Sequence, residues 1–250
     1  MAKSLRHLIA TALGLACALA RPSLAQVPER EVPPVMVRFV FIGSGEFTNG
    51  LPEPDLNALL ASGPTIHNLV LSPSAQSPTI PYKGPPAITL FREIKVGEKM
   101  DRQTLATLSY PAAWRGVLFL VTYSPQQKPL PYVFTPLEYW GETIPENHIR
   151  FYNFCPYPLA VKMADASNTV AKSERVDINV SSATDYLPLK IAKNSGEDGW
   201  KLVVKTGLPK PSHSRLIMLA YPNSRNSEGI NTLTIGDVPM PPPLPAAGAR

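Results

Sequence analysis

Between Arg175 and Val180, Val176, Ile178 and Val180 alternate with Arg175, Asp177 and Asn179. Successive side chains that face opposite ways require an extended strand with one face buried and one in water. Leu187, Leu189 and Ile191 alternate in the same way against Lys190 and Lys193. Val117–Val121 and Leu216–Ala220 are instead continuously apolar, the pattern of strands covered on both faces. Further strands are expected over Met36–Ile42, Asn68–Leu71, Ile88–Ile94, Leu105–Tyr110, Ile149–Phe154, Leu159–Met163, Trp200–Thr206 and Ile230–Ile235. Only Asp55–Ala61 reads as helical, with Pro54-Asp55 as a start signal and Leu56, Leu59 and Leu60 on one face.

Proline explains how these strands are joined. The chain has 29 prolines in 250 residues, about twice ordinary usage. They cluster between the apolar runs, where a residue that cannot donate to a ladder does least harm. Short strands joined by stiff loops follow.

A weak internal repeat orders the strands. Val37-Arg38-Phe39 recurs as Ile149-Arg150-Phe151, and Leu118–Pro125 resembles Leu216–Pro222. The offset falls from 112 to 98 residues between the two markers, which predicts an insertion in the first half, assigned to residues 44–65. The fold class expected is all-β: two tandem immunoglobulin-like sandwiches after a signal peptide. The boundaries expected are a signal peptide over 1–25, an extended segment over 26–34, and a first sandwich over 35–124. A Pro- and aromatic-rich linker over 125–146, a second sandwich over 147–237 and a Pro-rich disordered tail over 238–250 complete the chain.

The export reading rests on the first 25 residues. Lys3 and Arg6 precede an apolar stretch from Leu8 to Leu19, and Ser23-Leu24-Ala25 supplies a cleavage site before Gln26. The apolar run is shorter than the ~20 residues of a permanent anchor, so no integral membrane segment is expected after cleavage. Lipidation at Cys17 is the competing outcome, disfavoured by Gly14 and by the clean site downstream. A periplasmic or extracellular location follows. Removing Lys3, Arg6 and Arg21 from 24 basic residues leaves 21 against 19 acidic ones, which gives no electrostatic reason to expect nucleic acid or an anionic membrane surface as a partner. Cys155 remains as a lone thiol, expected to be a buried apolar residue.

Several strings together resemble uncharacterised exported β-sandwich proteins of Verrucomicrobia-type bacteria: Pro85-Pro86 with Ile88–Glu93, Val117–Val121, Ile149–Phe154, Pro158–Val161 and Gly199–Val203. The resemblance spans most of residues 36–222. It implies a bacterial exported β-sandwich and supplies neither function nor site residues.

Candidate chemistry is sparse. His67, His148 and His213 stand apart, without the spacing of a zinc site. Gly43-Ser44-Gly45-Glu46 has neither a nucleophile-elbow nor a phosphate-loop pattern. Asn179-Val180-Ser181 fits a glycosylation acceptor, but within a strand. Glu138, Tyr139, Trp140 and Glu142 form the candidate ligand-binding cluster, because sugar sites combine carboxylates with ring faces. The alternative for this cluster is an aromatic plug between the halves. No catalytic residue, metal or cofactor is expected. The expected function is a non-catalytic structural or binding protein of the cell envelope, with an envelope protein or a glycan as partner. The alternatives are a periplasmic assembly chaperone, or a protein that binds or hydrolyses glycan through residues 138–142.

Overall fold

The computed structural model describes residues 33–42, 56–71, 76–124, 126–183, 185–209, 215–223, 228–236 and 238. The signal segment 1–25, the Gly43–Glu46 loop, His213 and the Pro-rich tail beyond 238 lie outside the described residues. Among the described residues there is no α-helix. There are sixteen strands: β1 (Val35–Ile42), β2 (Leu56–Ser62), β3 (Thr65–Leu71), β4 (Ile80–Tyr82), β5 (Ala87–Val96), β6 (Lys99–Ser109), β7 (Gly116–Tyr123), β8 (Tyr132–Glu138), β9 (His148–Asn153), β10 (Leu159–Met163), β11 (Ala166–Val170), β12 (Arg175–Asn179), β13 (Tyr186–Asn194), β14 (Trp200–Pro209), β15 (Leu216–Pro222) and β16 (Ile230–Ile235).

The strands form four four-stranded sheets. Sheet A has the order β4-β1-β7-β8 and faces sheet B, β3-β2-β5-β6. Sheet C, β12-β9-β15-β16, faces sheet D, β11-β10-β13-β14. Each pair closes over its own core. Val37, Phe39, Val117 and Phe119 of sheet A meet Leu60, Ile88 and Leu90 of sheet B. Phe151 and Met218 of sheet C meet Val161, Leu189 and Ile191 of sheet D. The stacked rings of Phe39 and Phe119, 5.3 Å apart, centre the first core.

The two sandwiches repeat one topology strand for strand, β1–β8 matching β9–β16 in both sheet orders. Each contains one parallel pair, β1 with β7 and β9 with β15. Each also carries a bulge at the same place: one follows Leu90 in the β5–β6 ladder, the other Ile191 in the β13–β14 ladder. The register corrects the alignment of the repeat. Val37 pairs with Val117 and Ile149 with Leu216, so Val117, not Leu118, is the equivalent of Leu216. A slip of one residue exchanges the two faces of a strand. The apolar run is uniform, so its composition could not fix the phase.

Residues 118 and 217 face a third apolar layer. Val40, Ile42, Leu118, Leu120 and Leu137 of sheet A pack with Tyr152, Ile217, Leu219 and Ile235 of sheet C. The layer order is therefore B-A-C-D. This explains why β7 and β15 have no polar face over Val117–Val121 and Leu216–Ala220: both sides are buried. The equivalences run Val40 to Tyr152, Leu118 to Ile217, Leu120 to Leu219 and Leu137 to Ile235, so the interface is self-complementary, as in a two-fold dimer.

Two expectations need correction. In the segment Asp55–Ala61, expected to be a helix, Asp55 lies outside the described residues and the rest is extended: Leu56–Ser62 is strand β2. Ala58 and Leu60 are buried while Leu59 and Ala61 are half-buried, a period of two. A seven-residue segment cannot repay helix nucleation by itself, and ladders to β3 and β5 outweigh its Leu/Ala propensity. Because β2 is part of the repeat, the insertion is not all of 44–65. The extra length includes residues 43–55 between β1 and β2, where the second half has only 154–158. Second, the segment read as a linker contains β8, the last strand of sheet A. Its Pro136 is tolerated because β8 is an edge strand.

Gly116 opens β7 against the end of β8. A Cβ there would sit 1.9 Å from the Tyr139 carbonyl oxygen, a backbone atom that cannot swing away. Gly116→Ala is expected to cost about 2–3 kcal/mol by overpacking, read as a lower urea midpoint at unchanged m-value.

Candidate functional site

The repeat carries an arginine at the same place in each half, Arg38 on β1 and Arg150 on β9. Each neighbours two core-facing residues, so it points the other way, into the layer between sheets A and C. Each then reaches the far end of the other half. Arg38 donates to the Gly236 carbonyl, 3.5 Å away, just beyond β16. Arg150 reaches Glu138, the last residue of β8, at 3.3 Å. Gly236 and Glu138 are themselves equivalent, because the preceding pairs are Leu118–Leu137 and Ile217–Ile235.

The two clusters differ in charge. Arg150 is 3 % exposed and donates from Nε and a terminal nitrogen to the two Asp177 oxygens, at 2.8 and 2.9 Å. It also donates to Thr143 Oγ1 at 3.1 Å and to the Thr143 carbonyl. Burial by itself would lower the Arg150 pKa. The hydrogen bond and charge of Asp177, with Glu138 beyond, more than offset that and hold the guanidinium above its ordinary range. Exposed Arg175 adds a second cation 3.4 Å from Glu138. Arg38 has neutral partners instead: the Ser77 carbonyl at 3.1 Å and the Tyr139 hydroxyl at 2.6 Å. Tyr139 is fully buried and its hydroxyl also lies 3.2 Å from the Gly236 carbonyl.

The four candidate ligand residues are thus divided between Tyr139 and Trp140, just before the turn Gly141–Thr143. Glu138 and Tyr139 look inward to the two arginine clusters. Trp140 and Glu142 lie outside, joined by an indole N–H donated to the Glu142 carboxylate at 3.1 Å. Stacked side by side in sequence, they do not line one pocket. In the sequence Arg38 and Arg150 stand out only as markers of the repeat. Their alternation with core-facing neighbours was the available signal for an inward-facing charge.

Other groups are held locally. His148 Nδ1 is 2.8 Å from the Glu146 carbonyl. Asn179 accepts the Ser181 amide at 2.9 Å, which closes a turn at the end of β12. Among the described residues no three His, Cys, Asp or Glu side chains approach closely enough to hold a metal ion. Among the same residues no helix is long and apolar enough to cross a membrane. A groove of about 430 Å³ opens between β6 and the β7–β8 connection, with Phe119 and Tyr132 in its lining and Lys128 among its polar groups. Neither a family model nor a curated protein matches this chain.

Cys155 is buried in the second core, as expected of a lone apolar thiol. Burial pushes its pKa up to about 11, partly opposed by the Tyr157 hydroxyl. The unfolded chain releases this proton from its ordinary value near 9.0 and so binds fewer protons than the native state above that pH. Stability is therefore expected to fall between pH 9 and 11 through this group, and to be insensitive to it below. Urea titrations of the chain and its Cys155→Ala variant across that window measure the difference. In a Cys17→Ser chain, a thiol reagent at pH 8 is expected to label Cys155 only after unfolding.

Proposed function

We propose that this is a non-catalytic binding or scaffold protein that works outside the cytoplasm. The observation that carries the reading is the engagement of Arg38, Arg150, Glu138 and Tyr139 in fastening one sandwich to the other, with Asp177 bracing Arg150 from within its own sheet. Charged groups so committed are costly to withdraw for chemistry. Their effect is a four-layer platform with the outer faces of sheets B and D turned to solvent. The apolar N-terminal run and its cleavage site support export. In each half a four-stranded sheet of two hairpins faces a second four-stranded sheet, which supports an immunoglobulin-like reading. We assign the sandwiches to that architecture as a variant, with the parallel β1–β7 and β9–β15 pairs as its departure.

The test is turnover. The purified chain is incubated with a panel of neutral and acidic polysaccharides, and new reducing ends are measured. No release is expected. Release abolished by Glu142→Gln would overturn the reading and make the Trp140–Glu142 surface a hydrolytic site.

A further inference from the structure

We propose that the outer face of sheet D binds an acidic polysaccharide. The inference rests on the binding reading above and names its ligand class. Lys162 on β10 pairs with Lys190 on β13, which pairs with Lys205 on β14. The three side chains stand in one row across three adjacent strands, all pointing away from the core and all exposed. Neighbouring strands are about 4.8 Å apart, so the row is a line of like charges. Like charges directly opposite one another oppose sheet formation. Among the described residues no carboxylate lies within ion-pair distance of any of the three. The strand positions on this face include no Asp or Glu at all. They are Ala160 and Lys162; Ser167 and Thr169; Tyr186, Pro188, Lys190, Ala192 and Asn194; and Trp200, Leu202, Lys205, Gly207 and Pro209.

The fold itself does not require the row. The equivalent positions on sheet B, matched through the shared bulge, are Ala61, Thr89 and Thr107, a neutral row. The nearby cross-strand charges on sheet B are opposite, Glu93 facing Arg102. Protection of an open edge by lysine also fails to explain it, since only Lys205 is on an edge strand.

The surroundings of the row indicate the ligand. On one side Trp200 and Leu202 are 48 % and 54 % exposed; on the other Tyr186 is 58 % exposed, its ring lying over Gly207. An indole ring face in water stacks on the apolar face of a sugar, the lysines meet carboxylates, and the Ser167 and Thr169 hydroxyls on the same face suit sugar hydroxyls. An anionic bilayer would also satisfy the lysines, but the Tyr186 ring lies over Gly207 on the sheet and so offers a face for stacking on a sugar instead of a side chain to insert among lipid tails, which favours the glycan.

The experiment is affinity electrophoresis of the full chain through gels containing polygalacturonate, with dextran as the neutral control. The expected result is retardation by polygalacturonate alone, reversed by salt. Lys190→Gln with Lys205→Gln is expected to weaken retention about thirtyfold, as loss of two cations facing an anionic surface should. The melting temperature should be unchanged or raised, since repulsion is relieved. Trp200→Ala should weaken retention without changing the salt dependence. Retention that the double variant leaves intact, or none by the parent chain, overturns the ligand assignment alone. Binding only to vesicles of phosphatidylglycerol, tested by co-sedimentation, overturns it in favour of a membrane. Turnover of a polysaccharide in the preceding test overturns the binding reading itself.

Discussion

Arg150→Ala is expected to remove about 3 kcal/mol of stability, the cost of leaving two half-buried carboxylates and the Thr143 carbonyl without their donor. The guanidinium is the one group that satisfies both Asp177 and, with Arg175, Glu138. Without it, Asp177 and Glu138 lose that compensating charge, and the Thr143 carbonyl and hydroxyl lose a donor. A loss of this size is a large part of the roughly 5–15 kcal/mol that holds a typical domain. Arg38→Ala should cost nearer 1 kcal/mol, because its partners are neutral oxygens that lose ordinary hydrogen bonds. Urea midpoints of the two variants measure the asymmetry. Equal losses would mean that the ion pairs add nothing beyond hydrogen bonding. A triple change, Arg150→Met with Asp177→Asn and Glu138→Gln, should recover part of the loss, because no uncompensated charge then remains.

Leu219→Asp is expected to be more damaging still. Leu219 is fully buried between sheets A and C and belongs to neither sandwich core. Removing a leucine from such a layer costs about 2–5 kcal/mol, and a buried carboxylate with no partner adds a further desolvation penalty of several kcal/mol. The two sandwich cores are separate sets of residues, so the layer between them should fail first. The expected result is a chain that keeps a β-type circular dichroism spectrum at low temperature but binds a hydrophobic dye and melts far below the parent. A Leu219→Asp chain with the parent's midpoint would place that residue at the surface.

Much of the fold is legible because burial leaves a period. Where one face is buried, as in β12 and β13, alternation marks the strand; where both are buried, as in β7 and β15, the continuous run marks it. Strands lacking either sign escape. β4 has three residues with Pro81 in the middle, and β11 carries Ser167, Asn168 and Thr169. β8 contains Pro136, admissible only because nothing pairs with that edge. β2 reads as a helix because Leu and Ala favour one until sheet pairing intervenes. The runs also promised a second covered face without saying what covers it. That the cover is the other half depends on side-chain phase, which a uniform apolar run does not record.

The candidate site was legible as composition and not as arrangement. Glu138 through Glu142 gathers acids and rings, yet Glu138 and Tyr139 are held by the two arginines while the Trp140 indole bonds to Glu142 across the turn. The row Lys162–Lys190–Lys205 was invisible for a different reason. Its members are far apart in sequence, and a net charge of +5 over 250 residues does not record where a local excess of one sign falls.

Everything about the arginine clusters and the free outer faces follows from sheets A and C being in contact. Methyl-resolved nuclear Overhauser spectroscopy observes that contact directly. The structure predicts cross-peaks between methyl groups of Val40, Leu118 and Leu120 and those of Ile217, Leu219 and Ile235. A spectrum with the expected methyl contacts inside each sandwich and none between these two sets would contradict it.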